Sequence, residues 1–242
     1  MTKIYEALER AALEQKAVSP ASKTSLFEQY TPQDVDMKEE MMNLYMNIDS
    51  LFDRSSSRLL QFIGSQKGEG TSTIAREFAK TVALQIGKSV LLIDADRRKP
   101  CQHNYFSLQP RNGWVEALQS QHNINDAFHQ IGSSRLHVSP SCNSASFTPE
   151  IFDSSEIDIF WQELKNRFSL IIVDSPPLAD SPDGLAFAPH ADGVILVLEA
   201  EKTRSSVAEN LKARISQVGG RIVGIVFNKR KYYIPSFIYK RL

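Results

Sequence analysis

A glycine-rich segment at residues 64–73 carries the clearest chemical signal in the sequence. It reads Gly-Ser-Gln-Lys-Gly-Glu-Gly-Thr-Ser-Thr and follows a short apolar run. Gly68 and Gly70 allow backbone conformations that turn successive N–H groups towards one point, and a following helix adds the positive end of its dipole. Ser72 stands where a hydroxyl would ligate Mg²⁺ in such a loop. The segment therefore predicts a phosphate-binding loop.

Polar residues also follow three other apolar runs, at the points where the predicted strands end. Asp94 and Asp96 follow one run, Asp174 follows the next strong one, and Asn228 follows the last. Ligands of parallel sheets bind beyond the carboxyl ends of the strands, so these side chains should converge with the glycine-rich loop. A single aspartate after a strand is often only a helix N-cap. Four converging strand ends instead favour one site for a nucleotide and a metal ion.

Apolar runs that alternate with helical patterns must position these residues. Strands are predicted at 59–63, 90–93, 136–138, 169–173, 193–198 and 222–227. Apolar residues at helical spacing predict helices at 37–51, 72–84 and 205–218. Strands that are apolar throughout and alternate with helices are typical of a parallel sheet covered on both faces. We therefore expect an α/β fold of the P-loop NTPase type, with a mostly parallel sheet and helices on both faces.

The composition limits the classes of partner. Lys plus Arg and Asp plus Glu number 28 each, so no global field attracts nucleic acid, and no nucleic-acid partner is expected. No apolar stretch approaches the roughly 20 residues that span a bilayer. Cys101 and Cys142 lack a metal-ligand spacing and are interpreted as reduced thiols. These features predict a cytoplasmic protein.

Three segments are predicted along the chain. Residues 1–36 combine a short amphipathic helix at 3–14 with a linker that contains proline, serine and threonine. Residues 37–228 are expected to form the nucleotide-binding domain. Residues 229–242 form a basic tail that contains Tyr232, Tyr233 and Tyr239.

Three motifs resemble those of the bacterial tyrosine kinases, cytoplasmic enzymes that control the assembly of surface polysaccharides. Residues 68–73 read Gly-Glu-Gly-Thr-Ser-Thr, and residues 91–100 read Leu-Leu-Ile-Asp-Ala-Asp-Arg-Arg-Lys-Pro. Residues 170–177 read Leu-Ile-Ile-Val-Asp-Ser-Pro-Pro. The resemblance covers residues 38–231, and the family is related to the cell-division and partition ATPases. It implies a partner at the inner membrane, the co-polymerase protein that sets polysaccharide chain length.

The resemblance also implies that ATP and Mg²⁺ bind to this chain. The implied nucleotide contacts are Lys67, Gly68, Glu69, Gly70, Thr71, Ser72, Thr73 and Asn228, of which Asn228 would read the adenine edge. Ser72, Asp94 and Asp174 would organise Mg²⁺ directly or through water. Asp96 would accept the proton of an attacking hydroxyl, and Arg97 would stabilise the transferring group or contact a neighbouring subunit. Asp94, Asp96 and Arg97 thus form the implied catalytic set.

One residue inside the loop departs from the family pattern. Thr71 stands where the family has the lysine that reaches the β- and γ-phosphates. The absence of this lysine should weaken ATP binding and withdraw positive charge from the transition state. Lys67 could restore that charge by reaching back. Its register differs by one from that of the partition ATPases, whose signature lysine corresponds to Gln66.

Two further segments leave their roles open. The helix that contains Glu39, Met42 and Tyr45 resembles the family's subunit-association segment, where two arginines follow the glutamate at spacing three. This segment is compatible with a contact between copies in a homo-oligomer, and equally with a helix that only covers the core. The three tail tyrosines resemble the cluster that these kinases phosphorylate on one another. A basic tail of this kind also suits a weak docking surface for acidic lipid, or no function.

The leading hypothesis is an ATP-dependent tyrosine kinase of exopolysaccharide or capsule assembly that phosphorylates itself or a neighbouring copy. A second hypothesis is a catalytically weak nucleotide-binding regulator of a membrane polysaccharide machine, which Thr71 favours. A third is a partition-type positioning ATPase.

Overall fold

The structure is a computed structural model that describes residues 36–53, 56–119, 124–142, 152 and 155–231. The chain divides into two compact units, residues 1–36 and 37–242, and the described residues other than Asp36 belong to the second unit. The predicted helix at 3–14 and the tail tyrosines therefore lie outside the described residues.

In the described part of the chain, seven strands form one sheet. They are β1 (Arg58–Gly64), β2 (Val90–Asp94), β3 (His129–Gln130), β4 (Leu136–Ser139), β5 (Leu170–Asp174), β6 (Gly193–Glu199) and β7 (Ile222–Asn228). Their order is β3-β4-β2-β5-β1-β6-β7, and neighbouring strands are parallel except β3 with β4. The predicted mostly parallel sheet is confirmed. Each predicted strand is present, with bounds that differ by at most one residue.

Helices connect most of these strands. They are α1 (Lys38–Asp49), α2 (Thr71–Thr81), α3 (Gln102–Tyr105), α4 (Trp114–Gln119), α5 (Ser155–Arg167), α6 (Asp183–Ala186) and α7 (Ser205–Gln217). A π-helical turn at Val82–Ile86 extends α2, and a 3₁₀ turn occupies Ile124–Ala127. Within the described ranges, no helix has both the length and the apolar character needed to cross a bilayer.

Helices cover both faces of the sheet, as the apolar strands predict. Phe62 of β1 contacts Phe78 of α2, with ring centroids 5.3 Å apart. Leu59 instead belongs to an apolar cluster with Ile157 and Trp161 of α5. Because side chains alternate along a strand, residues 59 and 62 point to opposite faces. The two contacts therefore place α2 on one face and α5 on the other.

The sequence analysis missed α5, although the signal for it was present. Ile157, Phe160, Trp161 and Leu164 are buried at the i, i+3, i+4, i+7 spacing of an amphipathic helix. Polar residues such as Asp158 separate these apolar positions, so no continuous apolar run marks the segment. The short elements β3, α3, α4 and α6 were also missed.

Helix α1 covers the core through Met41, Tyr45 and Ile48, which are buried. Tyr45 is 6% exposed, and its ring lies 6.4 Å from that of Phe78. Its hydroxyl donates a 3.0 Å hydrogen bond to Asp49, which also accepts from Arg58 of β1. Tyr45 thus packs within its own chain. Glu39 is exposed and Met42 is half-buried.

Candidate functional site

The loop between β1 and α2 takes the shape that its glycines predict. Gly68 and Gly70 have φ angles of +90° and +91°, a backbone conformation that residues with a Cβ rarely adopt. A Cβ at Gly70 would also lie 2.2 Å from the amide nitrogen of Asn228. Position 70 therefore requires glycine for both its backbone conformation and its contact. Helix α2 begins directly after this residue, at Thr71.

Glu69 turns its side chain into the loop and fixes the loop's shape. It is 2% exposed, and its carboxylate accepts hydrogen bonds from the backbone N–H groups of Ser65 and Gln66 at 2.6 and 2.9 Å. The hydroxyls of Ser65 and Thr203 also donate to it, at 2.7 and 2.6 Å. A buried carboxylate is stable when it has this many donors. Glu69 therefore orders the loop with its side chain, whose carboxylate is occupied by donors of the protein itself.

Asn228 lies against the same loop. Its amide group donates a 2.8 Å hydrogen bond to the backbone oxygen of Glu69, and its carbonyl oxygen accepts from the N–H of Lys229 at 2.9 Å. The Lys229 ammonium group contacts the backbone oxygen of Gly68. The end of β7 thus supports the phosphate loop from one side. The adenine-reading role of Asn228 stays a prediction.

A cavity of about 200 Å³ opens beside the loop on the carboxyl side of the sheet. Six of its lining residues are predicted nucleotide contacts, namely Lys67, Gly68, Gly70, Thr71, Ser72 and Thr73. Asp96, Lys99 and Asp180 line it from the facing loops. The loop, with Ser72, and the candidate base Asp96 after β2 therefore meet at one cavity, whereas Asp94, Asp174 and Asn228 are not among the residues that line it.

Two buried aspartates stand side by side at the ends of β2 and β5. Asp94 and Asp174 are paired across the parallel ladder and are 0% and 1% exposed. Burial, and then the charge of Asp94, raise the pKa of Asp174 to about 8. Burial likewise raises the pKa of Asp94, while N–H donors from Gln102, Cys101 and Asp96 oppose that rise. Two such carboxylates favour a cation between or beside them.

The donor set fits Mg²⁺ bound together with phosphate. Asp174 Oδ1 is buried with no hydrogen-bond donor, so it is an acceptor that lacks a partner. Among the described residues, no cluster of three or more carboxylate, imidazole or thiol groups could hold a metal ion without further ligands. Mg²⁺ in nucleotide sites commonly uses one or two protein ligands, with phosphate and water completing its octahedron. Asp174, Asp94 and the Ser72 hydroxyl match that pattern.

The turn after β2 places Asp96 and the arginines. Asp96 Oδ1 accepts the N–H groups of Arg98 and Lys99 at 3.1 and 3.0 Å. Asp96 itself is half-buried on the cavity wall. Arg97 forms a 2.7 Å ion pair with Asp183 of α6, which ties its guanidinium group to its own chain. A role for Arg97 towards the transferring group would require this pair to open.

Lys67 reaches the mouth of the cavity. It is fully exposed, and the neighbouring Lys99 amine lowers the pKa of Lys67, whereas Asp180 and Asp96 act in the opposite direction. Two ammonium groups therefore meet where a phosphate chain would enter. The sequence analysis singled out Lys67 but missed Lys99, because Lys99 reaches the cavity only through the turn at Asp96.

Gln102 forms hydrogen bonds to both aspartates of the site, and the sequence analysis missed it. It is completely buried, and its side chain donates to Asp174 Oδ2 at 2.7 Å. Its own N–H donates to Asp94 Oδ2 at 2.9 Å. Thr203, whose hydroxyl donates to Glu69, was likewise not predicted to take part in the site. No residue type or spacing marks a glutamine for such a position, so the fold was needed to find it.

The parallel sheet and the glycine-rich loop before α2 define a P-loop nucleotide-binding protein. The tyrosine-protein kinase YwqD of Bacillus subtilis strain 168 is 30% identical over 164 residues, which cover 68% of this chain and 69% of YwqD. The chain therefore belongs to the bacterial tyrosine-protein kinases. No protein-family model matches the sequence.

Other relatives agree with this assignment. The tyrosine-protein kinase CpsD of Streptococcus agalactiae is 28% identical over 187 residues, covering 77% of this chain and 81% of CpsD. The succinoglycan biosynthesis transport protein ExoP of Rhizobium meliloti strain 1021 is 29% identical over 194 residues. That match covers 79% of this chain but 25% of ExoP.

Solved structures share the fold. The chimerical protein CapA2B2 superposes with a TM-score of 0.74 at 24% identity, over 83% of this chain and 88% of that one. The cell division ATPase MinD of Pyrococcus furiosus has a TM-score of 0.60 at 18% identity, over 76% and 79% of the two chains. These two likenesses show that the fold is shared.

Proposed function

We propose that the chain binds ATP with Mg²⁺ at the loop of residues 64–73 and transfers the γ-phosphoryl group to protein tyrosines. The observation that carries the proposal is the cavity lined by this loop, Ser72 and Asp96, together with the buried aspartate pair that Gln102 links to Ser72. Membership of the tyrosine-kinase family supports the choice of tyrosine as acceptor. The tail residues Tyr232, Tyr233 and Tyr239 are the proposed acceptors within this chain.

The cavity residues divide the work of transfer. The loop N–H groups and the start of α2 would bind the phosphates, and Ser72, Asp94 and Asp174 would hold Mg²⁺, which would neutralise charge on the phosphate oxygens. Asp96 accepts the proton as a tyrosine oxygen attacks the γ-phosphorus. The bond to the β-phosphate oxygen breaks, and ADP leaves with that oxygen. Asp96 Oδ1 already accepts two N–H groups, so Oδ2 is the proposed proton acceptor.

Lys67 is the proposed source of the positive charge that Thr71 does not supply. Its ammonium group lies beside that of Lys99 at the cavity mouth, and the repulsion between them is relieved when an anion binds there. Both lysines are exposed, so water and salt screen this charge more than they would screen that of a buried lysine. The proposal therefore predicts transfer that is slow for this family.

The proposed cellular role is exopolysaccharide or capsule assembly, together with an inner-membrane co-polymerase protein. The name of ExoP links one relative to succinoglycan biosynthesis, and ExoP is much longer than the region matched here. Self-association of this chain is also proposed, since phosphorylation between copies needs their contact.

A regulator with little catalysis is the second candidate, and Thr71 favours it. The pre-shaped loop could still bind nucleotide without a lysine, and bound nucleotide could then control the partner.

One experiment separates the kinase from the regulator and from a positioning ATPase. The purified protein is incubated with γ-labelled ATP and Mg²⁺, and phosphotyrosine and free phosphate are measured separately. A kinase gives labelled tyrosine and a positioning ATPase gives free phosphate. A regulator gives neither, but still binds ADP in calorimetry.

A further inference from the structure

Gln102 joins the parts of the nucleotide site that the sequence keeps far apart. Its Nε2 donates to Asp174 Oδ2 at 2.7 Å and to the backbone oxygen of Ser72 at 3.1 Å. Its backbone N–H donates to Asp94 Oδ2 at 2.9 Å. One residue at the start of α3 therefore contacts both aspartates and the residue that carries the metal-facing hydroxyl.

The surroundings determine which way the Gln102 amide points. Two acceptors, Asp174 Oδ2 and the Ser72 oxygen, lie on the Nε2 side. On the other side, the Arg76 guanidinium donates to Oε1 at 3.4 Å. A flipped amide would set its oxygen against two acceptors and its nitrogen against a cation. Arg76 is itself held by the Tyr105 ring, which lies 3.7 Å below its guanidinium carbon.

The hydrogen bond from Gln102 assigns different tasks to the two oxygens of Asp174. Oδ2 is occupied by Nε2, so the carboxylate cannot rotate freely about its Cβ–Cγ bond. Oδ1 is buried and has no donor among the described residues. A carboxylate with one oxygen fixed by an amide donor presents the other at a defined position, as metal ligands commonly do.

We propose that Gln102 is a positioning residue for Mg²⁺, orienting the Asp174 carboxylate so that Oδ1 faces the metal. Its backbone N–H, together with that of Cys101, also holds Asp94 Oδ2. This inference rests on the proposed nucleotide site and concerns the metal step alone. Loss of a hydrogen-bond partner behind a metal ligand typically lowers metal affinity about 10- to 100-fold.

The test uses Gln102→Met, which keeps the length of the side chain and the backbone N–H but removes the amide. ADP binding is measured by calorimetry in EDTA and across a Mg²⁺ titration. We expect the Mg²⁺ concentration needed for half of the gain in ADP affinity to rise about 10- to 100-fold. ADP affinity in EDTA should change less than about threefold, because Gln102 contacts the loop only through the backbone oxygen of Ser72.

Gln61 provides a matched control. It is also completely buried, and its amide donates to Ser175 Oγ at 2.8 Å and to the Gly184 backbone oxygen, without touching either aspartate. Gln61→Met should lower stability to a similar extent as Gln102→Met. It should leave the Mg²⁺ midpoint, the Mg²⁺ concentration that gives half of the gain in ADP affinity, unchanged. Equal midpoints for the parent, Gln102→Met and Gln61→Met would overturn the proposal, and so would equal shifts in both variants.

If Gln102→Met does not fold, Arg76→Met decides the question. This change removes the donor to Oε1 and frees the amide to turn, so the Mg²⁺ midpoint should rise about three- to tenfold. An unchanged midpoint in Arg76→Met would then overturn the proposal. A parent protein that binds no ADP even in EDTA contradicts the proposed nucleotide site instead, which keeps the two failures distinct.

Discussion

Asp94 and Asp174 face each other as paired residues on adjacent parallel strands, completely buried, with one carboxylate oxygen of Asp174 left without a donor. Their sequence positions are 80 residues apart, from 94 to 174. Two like charges buried away from water destabilise the protein unless a proton or a cation compensates them. This pair therefore couples folding, proton binding and metal binding.

The pair predicts that the protein without ligands loses stability as the pH rises. The pKa of Asp174 is raised to about 8 in the folded state, so its contribution is fully present below its ordinary pKa of 3.8 and is lost as the pH rises through 8. Thermal unfolding should show a falling Tm between pH 6 and pH 9, a range set by that shift. Asp174→Asn should flatten the curve. A parent curve that rises over this range would contradict the assignment.

Mg²⁺ should reverse that trend. Metal ions bind the ionised carboxylates, so their affinity increases as these groups lose their protons. We expect the rise in Tm caused by Mg²⁺ with ADP to be larger at pH 8.5 than at pH 6.5, on either side of the raised pKa. Ca²⁺ serves as the comparison ion, because the small octahedral site should prefer Mg²⁺. A stabilisation independent of pH would argue against metal contact with Asp174.

Restoring the family lysine should speed phosphoryl transfer. One preorganised cation near a transferring phosphoryl group is worth several kcal/mol, so Thr71→Lys should raise the rate on the order of 10²-fold. Lys67→Ala should abolish residual transfer if Lys67 supplies the charge. Lys212→Ala, which removes an exposed lysine of α7, is the control and should have no effect. The measurement is single-turnover phosphotyrosine formation, and a parent as fast as Thr71→Lys would contradict this account.

Glu69 should matter for stability more than its exposed neighbours in the loop. Glu69→Ala leaves the N–H groups of Ser65 and Gln66 and two hydroxyls without their acceptor, which should cost about 3 kcal/mol of unfolding free energy. Thr203→Val removes one of these bonds and should cost about 1 kcal/mol. Urea unfolding measures both. If Glu69→Ala and Thr203→Val lowered the unfolding free energy equally, the Glu69 carboxylate would not be the centre of this network.

The tail tyrosines should carry phosphate in cells that make polysaccharide. Each added phosphate brings close to two negative charges beside basic residues and would change any docking of the tail. Mass spectrometry of protein from its native cell should find phosphotyrosine at Tyr232, Tyr233 or Tyr239. The Asp96→Asn variant should lack it. Unmodified tails in both proteins would favour the regulator.

The strands and the loop were predictable because local rules dictate them. Apolar runs that end in Gly64, Asp94 or Asp174 predicted the strands to within one residue, since a strand buried on both faces is mostly apolar. The glycine-rich loop followed from the backbone conformations that Gly68 and Gly70 permit. The core-covering role of Tyr45, in contrast, depended on which helix face meets the sheet.

The connections between distant parts of the site were not predictable. Gln102 meets Asp174 across 72 positions of sequence, and Thr203 meets Glu69 across 134. Nothing local distinguishes these residues from others of their type. The direction of the Glu69 side chain, into the loop and away from the cavity, likewise depended on donors that come together only in the fold.

The inward-facing Glu69 carboxylate has a consequence for how fast and how tightly a nucleotide can bind. All its donors belong to the protein, so the loop keeps its curvature before any phosphate arrives. Little conformational entropy is then lost on binding, and association need not wait for the loop to rearrange. The shape of the loop therefore does not depend on ionic strength, whereas the attraction of the exposed Lys67 and Lys99 for phosphate does.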